Sequence, residues 1–218
     1  MCCHSALRSV GDDTSCHQYA VRVSRWEPGA RERLEGAALE LFEGQGFAAT
    51  TVPQITARAG LTTRTFFRYF ADKREVLFGD ADVAELAAAY VAEAPASLAA
   101  AELVVHCLER LTQERFEGRK EDLRRRRDIV RSDEGLRERN LHKRAAASDA
   151  LARELAGRGF GTAEATLCAE VGALALFTAI DQWLESGDDR TLFTLVLGVL
   201  ESLGVVVAGF EAVRTRRS

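Results

Sequence analysis

The sequence is most informative at first for what it has little of. Its 218 residues include three prolines, one methionine and, at positions 73, 120 and 143, three lysines. So few prolines, with no turn clusters at short regular intervals, exclude a sandwich or barrel of many short strands. No apolar run reaches the roughly 18 residues that suggest a membrane span. The N-terminus shows no apolar core ahead of a small-residue cleavage site. Neither insertion in a membrane nor export is therefore expected, and the reading is a cytoplasmic protein. Five cysteines, an odd number, fit reduced thiols better than a disulfide framework. Enzyme signatures are missing too: no nucleophile elbow, no HExxH, no phosphate-cradling glycine loop. Glu102 and His106 stand four apart, the wrong spacing for the Glu-x-x-His pair of a di-iron bundle. No catalytic residue and no cofactor is predicted. Cys2, Cys3, His4, Cys16 and His17 lack the paired knuckle spacing of a zinc site, so no metal is predicted either.

What is present is helical material. Alanine, leucine, arginine and glutamate dominate, 47% of residues are hydrophobic and 28% charged, and the fold class expected is all-α. The net charge of −4 hides an uneven distribution. Residues 50–74 carry Arg58, Arg64, Arg68, Lys73 and Arg74 against Asp72, whereas residues 147–213 hold three arginines against ten acids. A basic N-terminal module on an acidic body suits docking on DNA in one orientation.

Residues 1–24 lack periodicity and read as a flexible tail, and residues 214–218 as a basic one. Between them lie a helix-turn-helix domain over 25–78 and a larger helical domain over 79–213. Leu34, Ala38, Leu41, Phe42 and Gln45 recur at three and four, predicting one helix ended by Gly46 in a left-handed cap, with Phe47 returning to the core. Thr51 is placed to cap a second helix with Pro53 in its first turn, turning inward Val52, Ile55 and Ala59. Gly60 ends it, Leu61 anchors, and Thr62 caps a third helix to about Tyr69. Asp72 and Glu75 read as cap and partner of a helix over 73–92. Further helices are predicted over 98–116, 121–131, 134–156, 162–185 and 190–213.

Short helices broken by Gly46 and Gly60 meet the demands of a DNA reader. A tight turn sets two helices at a steep angle, so the second enters the major groove while the first crosses the backbone. Leu61, Phe66 and Phe70 would form its buried side. Thr62, Thr63, Arg64, Arg68 and Tyr69 would be exposed, with Thr65 and Phe67 at the boundary. The stretch ALELFEGQGFAATTVPQITARAGLTTRTFFRYFADKREVLF resembles the DNA-binding domain of the TetR family of one-component regulators. The landmarks are Gly46, Phe47, Thr51, Val52, Ile55, Ala59, Gly60, Leu61, Thr65, Tyr69, Phe70 and Lys73. The resemblance implies that Thr51, Tyr69 and Lys73 meet phosphates and that Thr62, Thr63, Arg64 and Phe67 face bases or adjoining backbone. Two positions depart from the family pattern. Thr56 stands for a small alanine, which should loosen helix packing, and Phe67 for a frequent tyrosine, which keeps an apolar face for a thymine methyl.

The same resemblance implies a C-terminal body that senses a small molecule and forms a homodimer. Gly172, Ala173, Ala175 and Ala179 would let helices approach closely, and Leu192, Leu195, Val196, Val199 and Leu200 would supply the apolar dimer face. Pocket candidates are His106, Thr178 and Asp181, with Phe177 and Trp183 as aromatic walls. The run Arg124 to Arg127 reads as a solvated face paired with nearby acids, or else as a dock for an acidic or acyl-CoA-like effector. The Trp183 helix and the RTFFRYF segment also resemble the branch of mycofactocin-type regulators, which implies acyl-CoA thioesters among the effectors. The function expected is a repressor released from a palindromic operator in double-stranded DNA by an effector. An activator of the same fold, and a helical small-molecule-binding or interaction protein without DNA binding, stay open as alternatives.

Overall fold

The computed structural model describes residues 29–78, 83–187 and 189–216. Cys2, Cys3, His4, Cys16 and His17 of the expected tail lie outside the described residues. Ten helices and no strand are found among those described: α1 Ala30–Gln45, α2 Val52–Ala59, α3 Thr63–Tyr69, α4 Glu75–Phe78, α5 Val83–Glu93, α6 Ala100–Arg115, α7 Lys120–Ser132, α8 Glu134–Gly157, α9 Thr162–Glu185 and α10 Leu192–Arg216. Where one helix was expected over 73–92, α4 and α5 flank residues 79–82, which are outside the described set. At the C-terminus, Arg214 to Arg216 continue α10 instead of opening a tail.

Local chemistry sets the first elements. Thr51 accepts from the Gln54 N–H at 3.4 Å, while Gln54 Oε1 accepts from the Thr51 N–H at 2.8 Å, a reciprocal capping box that starts α2. Gly60 ends α2 at φ 66° and ψ 34°, a left-handed corner that an L side chain resists, and its absent Cβ would stand 3.0 Å from Arg33 Nη2. Gly46 ends α1 at φ 86° and ψ 153°, a positive-φ corner that suits glycine as expected, though outside the αL well of a left-handed cap. Thr56 is buried, yet its hydroxyl donates to the Pro53 carbonyl at 3.0 Å. The departure from alanine thus brings a satisfied polar group rather than a loosened contact.

Two cores result. Leu34, Phe42, Phe47, Ile55, Phe66, Phe70 and Val76 fill the N-terminal one, and Ile129, Val130 and Leu136 of α7 and α8 complete it. The first core therefore reaches past residue 78 into the body. Leu103, Cys107, Leu155, Ala169, Ala175, Leu176, Trp183, Leu192 and Val196 belong to the second. Burial there pushes the Cys107 thiol up to about 11.

The small residues of α9 have a different job from the one expected. Gly172, Ala175 and Ala179 are buried within the chain, as are Leu192, Leu195 and Val196 of α10. A Cβ on Gly172 would stand 2.4 Å from Val104 Cγ1, so this glycine lets α9 lie against α6. On these two helices the large apolar side chains left in solvent, among the described residues, are Leu167, Val171 and Leu174 of α9 and Leu197, Val205, Val206 and Val207 of α10. By length and composition α9 passes for a membrane span, but it is packed against α6, α7, α8 and α10.

The arginine run of α7 is more than a solvated face: Arg124, Arg126 and Arg127 pair with Glu121, Asp122 and Asp128 as expected, and the run also reaches other helices. Arg125 makes two 2.7 Å bonds to Glu43 of α1. Arg126 is buried, bonds Glu35 of α1 at 2.7 Å and donates to the Val76 carbonyl of α4. Arg124 donates to the Leu184 carbonyl of α9 at 2.8 Å. Neighbouring residues on a helix point about 100° apart, so consecutive arginines bind opposite neighbours and α7 ties the N-terminal helices to the body.

Candidate functional site

In α3 the buried side chains lie on one side. Phe66 and Phe70 are buried, their rings 5.3 Å apart, and Arg31 of α1 sits 4.5 Å over Phe70. Burying a side chain of phenylalanine size is worth roughly 1.5–3 kcal/mol, enough to seat so short a helix. Thr63, Arg64, Phe67 and Arg68 are exposed on the opposite side, Phe67 to 56%. An aromatic left in water beside two guanidinium groups can meet a thymine methyl while its neighbours reach base edges or phosphates.

The other expected contact residues are partly occupied. Thr62 caps α3 by accepting from the Thr65 N–H at 3.1 Å, and the two hydroxyls are 3.0 Å apart. Thr51 is exposed, its hydroxyl engaged in its own capping box. Tyr69 is half-buried and its hydroxyl accepts from Arg68 Nη2 at 3.1 Å. Lys73 departs furthest from expectation. Its ammonium donates to the carbonyls of Phe47 at 2.8 Å, Thr50 at 2.8 Å and Ala48 at 3.3 Å, and lies 4.4 Å over the Phe47 ring. Burial pushes its pKa below the ordinary value, against the opposite pull of Asp133. With three donors on three carbonyls, Lys73 clamps the turn between α1 and α2, and with it the start of α2.

A cavity of about 350 Å³ opens where α4, α7, α8 and α9 meet. Of the pocket candidates, Phe177 and Asp181 line it, and His106, Thr178 and Trp183 do not. Thr178 is one step round the helix from Phe177. Trp183 is buried in the body core with Lys120 Nζ 5.4 Å over its ring. His106 is half-buried at the edge of α6, whose inner face is taken by Leu103, Cys107 and Leu111. Sequence reading missed Arg137, Leu141 and Arg144, whereas Arg127 lies in the run that offered an acidic-effector dock. A signal was available: Leu123, Arg126, Arg127 and Val130, then Arg137, Asn140, Leu141 and Arg144, then Phe177, Ile180, Asp181 and Leu184, each follow the spacing of a single helix face.

Comparison with known proteins fits this geometry. Residues 36–79 match the N-terminal domain described as bacterial regulatory proteins, tetR family. Over 46 residues, 21% of this chain and 20% of the relative, the sequence is 52% identical to the HTH-type transcriptional regulator TcmR of Streptomyces glaucescens. It is 37% identical over 59 residues, 27% of this chain and 30% of the relative, to a regulator assigned to mycofactocin biosynthesis in Mycobacterium tuberculosis. The matched part thus spans less than a third of either relative. The fold is similar along 90% of this chain and 98% of a transcriptional regulator from Pseudomonas aeruginosa PAO1, with a TM-score of 0.52 and 24% identity. Residues 36–79 therefore form a helix-turn-helix domain similar to that of the tetR family of bacterial regulatory proteins.

Proposed function

We propose that the chain is a homodimeric, ligand-responsive transcriptional regulator of the cytoplasm, a repressor released from a palindromic operator when a small molecule enters the body. The observation that carries this reading is the split of α3 into a locked inner side and an exposed side of Thr63, Arg64, Phe67 and Arg68. In this reading Arg64 and Phe67 contact bases, while Thr51, Arg68 and Tyr69 lie towards the backbone. Support for a second copy comes from Leu167, Val171 and Leu174, spaced four and three apart along α9 and left in water. A two-fold dimer presents two α3 helices, and its operator is then an inverted repeat.

Selection from random duplexes tests the reading. Enrichment of an inverted repeat, bound with an affinity that falls steeply with salt, is the expected outcome. Enrichment of no sequence at all would leave the alternative of a helical bundle that binds small molecules but not DNA.

A further inference from the structure

The cavity between α4, α7, α8 and α9 is lined by Leu77, Phe78, Leu123, Val130, Phe177 and Ile180, an apolar wall. Its volume of about 350 Å³ falls within the range of roughly 300–1,000 Å³ usual for small-molecule sites. Set into that wall are five arginines, at 126, 127, 131, 137 and 144, against a single acid, Asp181.

The arginines differ in how well they are compensated. Arg126 has Glu35 at 2.7 Å and Asp122 at 2.8 Å. Arg131 has Asp181 at 3.2 Å and Glu185 at 3.4 Å. Arg127 binds Asp128 at 3.0 Å, but its Nη1 is buried with no hydrogen-bond partner, and Glu185 is 3.8 Å away. Arg144 Nε is likewise buried and unpartnered, with Asp181 3.9 Å from Nη2. Burial pushes the Arg144 guanidinium below its ordinary pKa, with Asp181 opposing. Arg144 is also oriented, its guanidinium stacked 4.3 Å over the Phe177 ring.

Buried donors without acceptors are costly, and a guanidinium edge matches the two oxygens of a carboxylate. We infer that this cavity binds a carboxylic acid with an apolar body, its carboxylate taken by Arg127 and Arg144 and its body laid against Phe78, Phe177 and Ile180. A single negative charge suits the site better than a phosphate dianion, because Arg126 and Arg131 already have close acids and Arg137 is exposed to water. The occupant competes with Asp181 for Arg144. It also draws on α7, which holds α1 through Arg125 and Arg126. Only this last consequence, release of DNA, rests on the regulatory reading above.

The test uses the full chain and isothermal titration with decanoate and naphthoate, each beside the neutral alcohol of the same skeleton, and with decyl phosphate. At least one carboxylate is expected to bind about tenfold or more tightly than its alcohol, as for a charge-assisted bond to a buried group. Arg144→Gln should erase that preference. Asp181→Asn should strengthen carboxylate binding, a change that damage to the fold does not produce. Thermal unfolding of both variants without ligand checks their folding. Failure of both carboxylates, equal binding of the alcohols, tighter binding of decyl phosphate, or weaker binding by Asp181→Asn each overturns the inference. DNA binding measured on the same preparations separates the two readings. Carboxylate binding without any bound duplex removes the regulatory reading and leaves the site standing. A bound duplex without carboxylate binding does the reverse.

Discussion

Replacing Lys73 by methionine separates two roles for one ammonium. A phosphate contact puts Lys73 on DNA, whereas the geometry puts it on the carbonyls of Phe47, Ala48 and Thr50. Methionine keeps most of the side chain's bulk and removes all three donors. A hydrogen bond to a charged group is worth roughly 1.5–3 kcal/mol when water cannot replace it. Here two bonds are short, the third is longer and made to an exposed carbonyl, and water can reach the turn. The expected loss for Lys73→Met is therefore about 1–2 kcal/mol in total. For a chain of this size that lowers the unfolding midpoint by roughly 2–8 °C. Thermal unfolding followed by circular dichroism reads the first quantity. The second is the slope of log affinity against log salt on the selected duplex. A phosphate contact contributes close to 0.9 to that slope. The clamp role predicts an unchanged slope, with affinity falling alike for all sequences because the start of α2 is less well held. An unchanged midpoint together with a slope shallower by about one would refute the clamp and return Lys73 to the DNA.

Two further outcomes follow from the same structure. Arg64→Ala should cost roughly 1–3 kcal/mol of operator affinity and relax preference at one position in each half-site; if binding across operator variants shows the preference intact everywhere, Thr63 and Phe67 become the readers. Leu174→Arg should convert the dimer to folded monomers in sedimentation, because Leu174 is 53% exposed in the single chain and the new charge would be buried only in the dimer; a wild-type chain that sediments as a monomer at micromolar concentration rules the dimer out.

What could be read from the sequence was local. The caps at Thr51 and Thr62, the corner at Gly60 and the Asp72 turn are contacts between residues two or three apart, so their signals fit inside a short window. The helices from 100 onward lie within three residues of their expected ends, because apolar periodicity and the glycines near 159 leave few choices. Lys73 escaped this reading because its acceptors lie 23 to 26 residues back. The arginine run escaped it more thoroughly. Besides Asp122 four residues back, Arg126 finds partners 50 and 91 residues away, and four identical side chains in a row carry no mark of which one is buried.

The apolar faces of α9 show a different limit. Ala175 and Leu174 are adjacent, equally suited to an interior, and point about 100° apart on the helix. One is fully buried in the chain and the other half in solvent. A helix apolar on nearly every side carries no internal record of which side its own chain covers. The choice is made by α6, where Val104 leaves room for a hydrogen atom at position 172 but not for a methyl group. That contact turns Gly172, Ala175 and Ala179 inward and thereby leaves Leu167, Val171 and Leu174 to face whatever lies outside. The surface open to a second copy is thus fixed by packing inside the first.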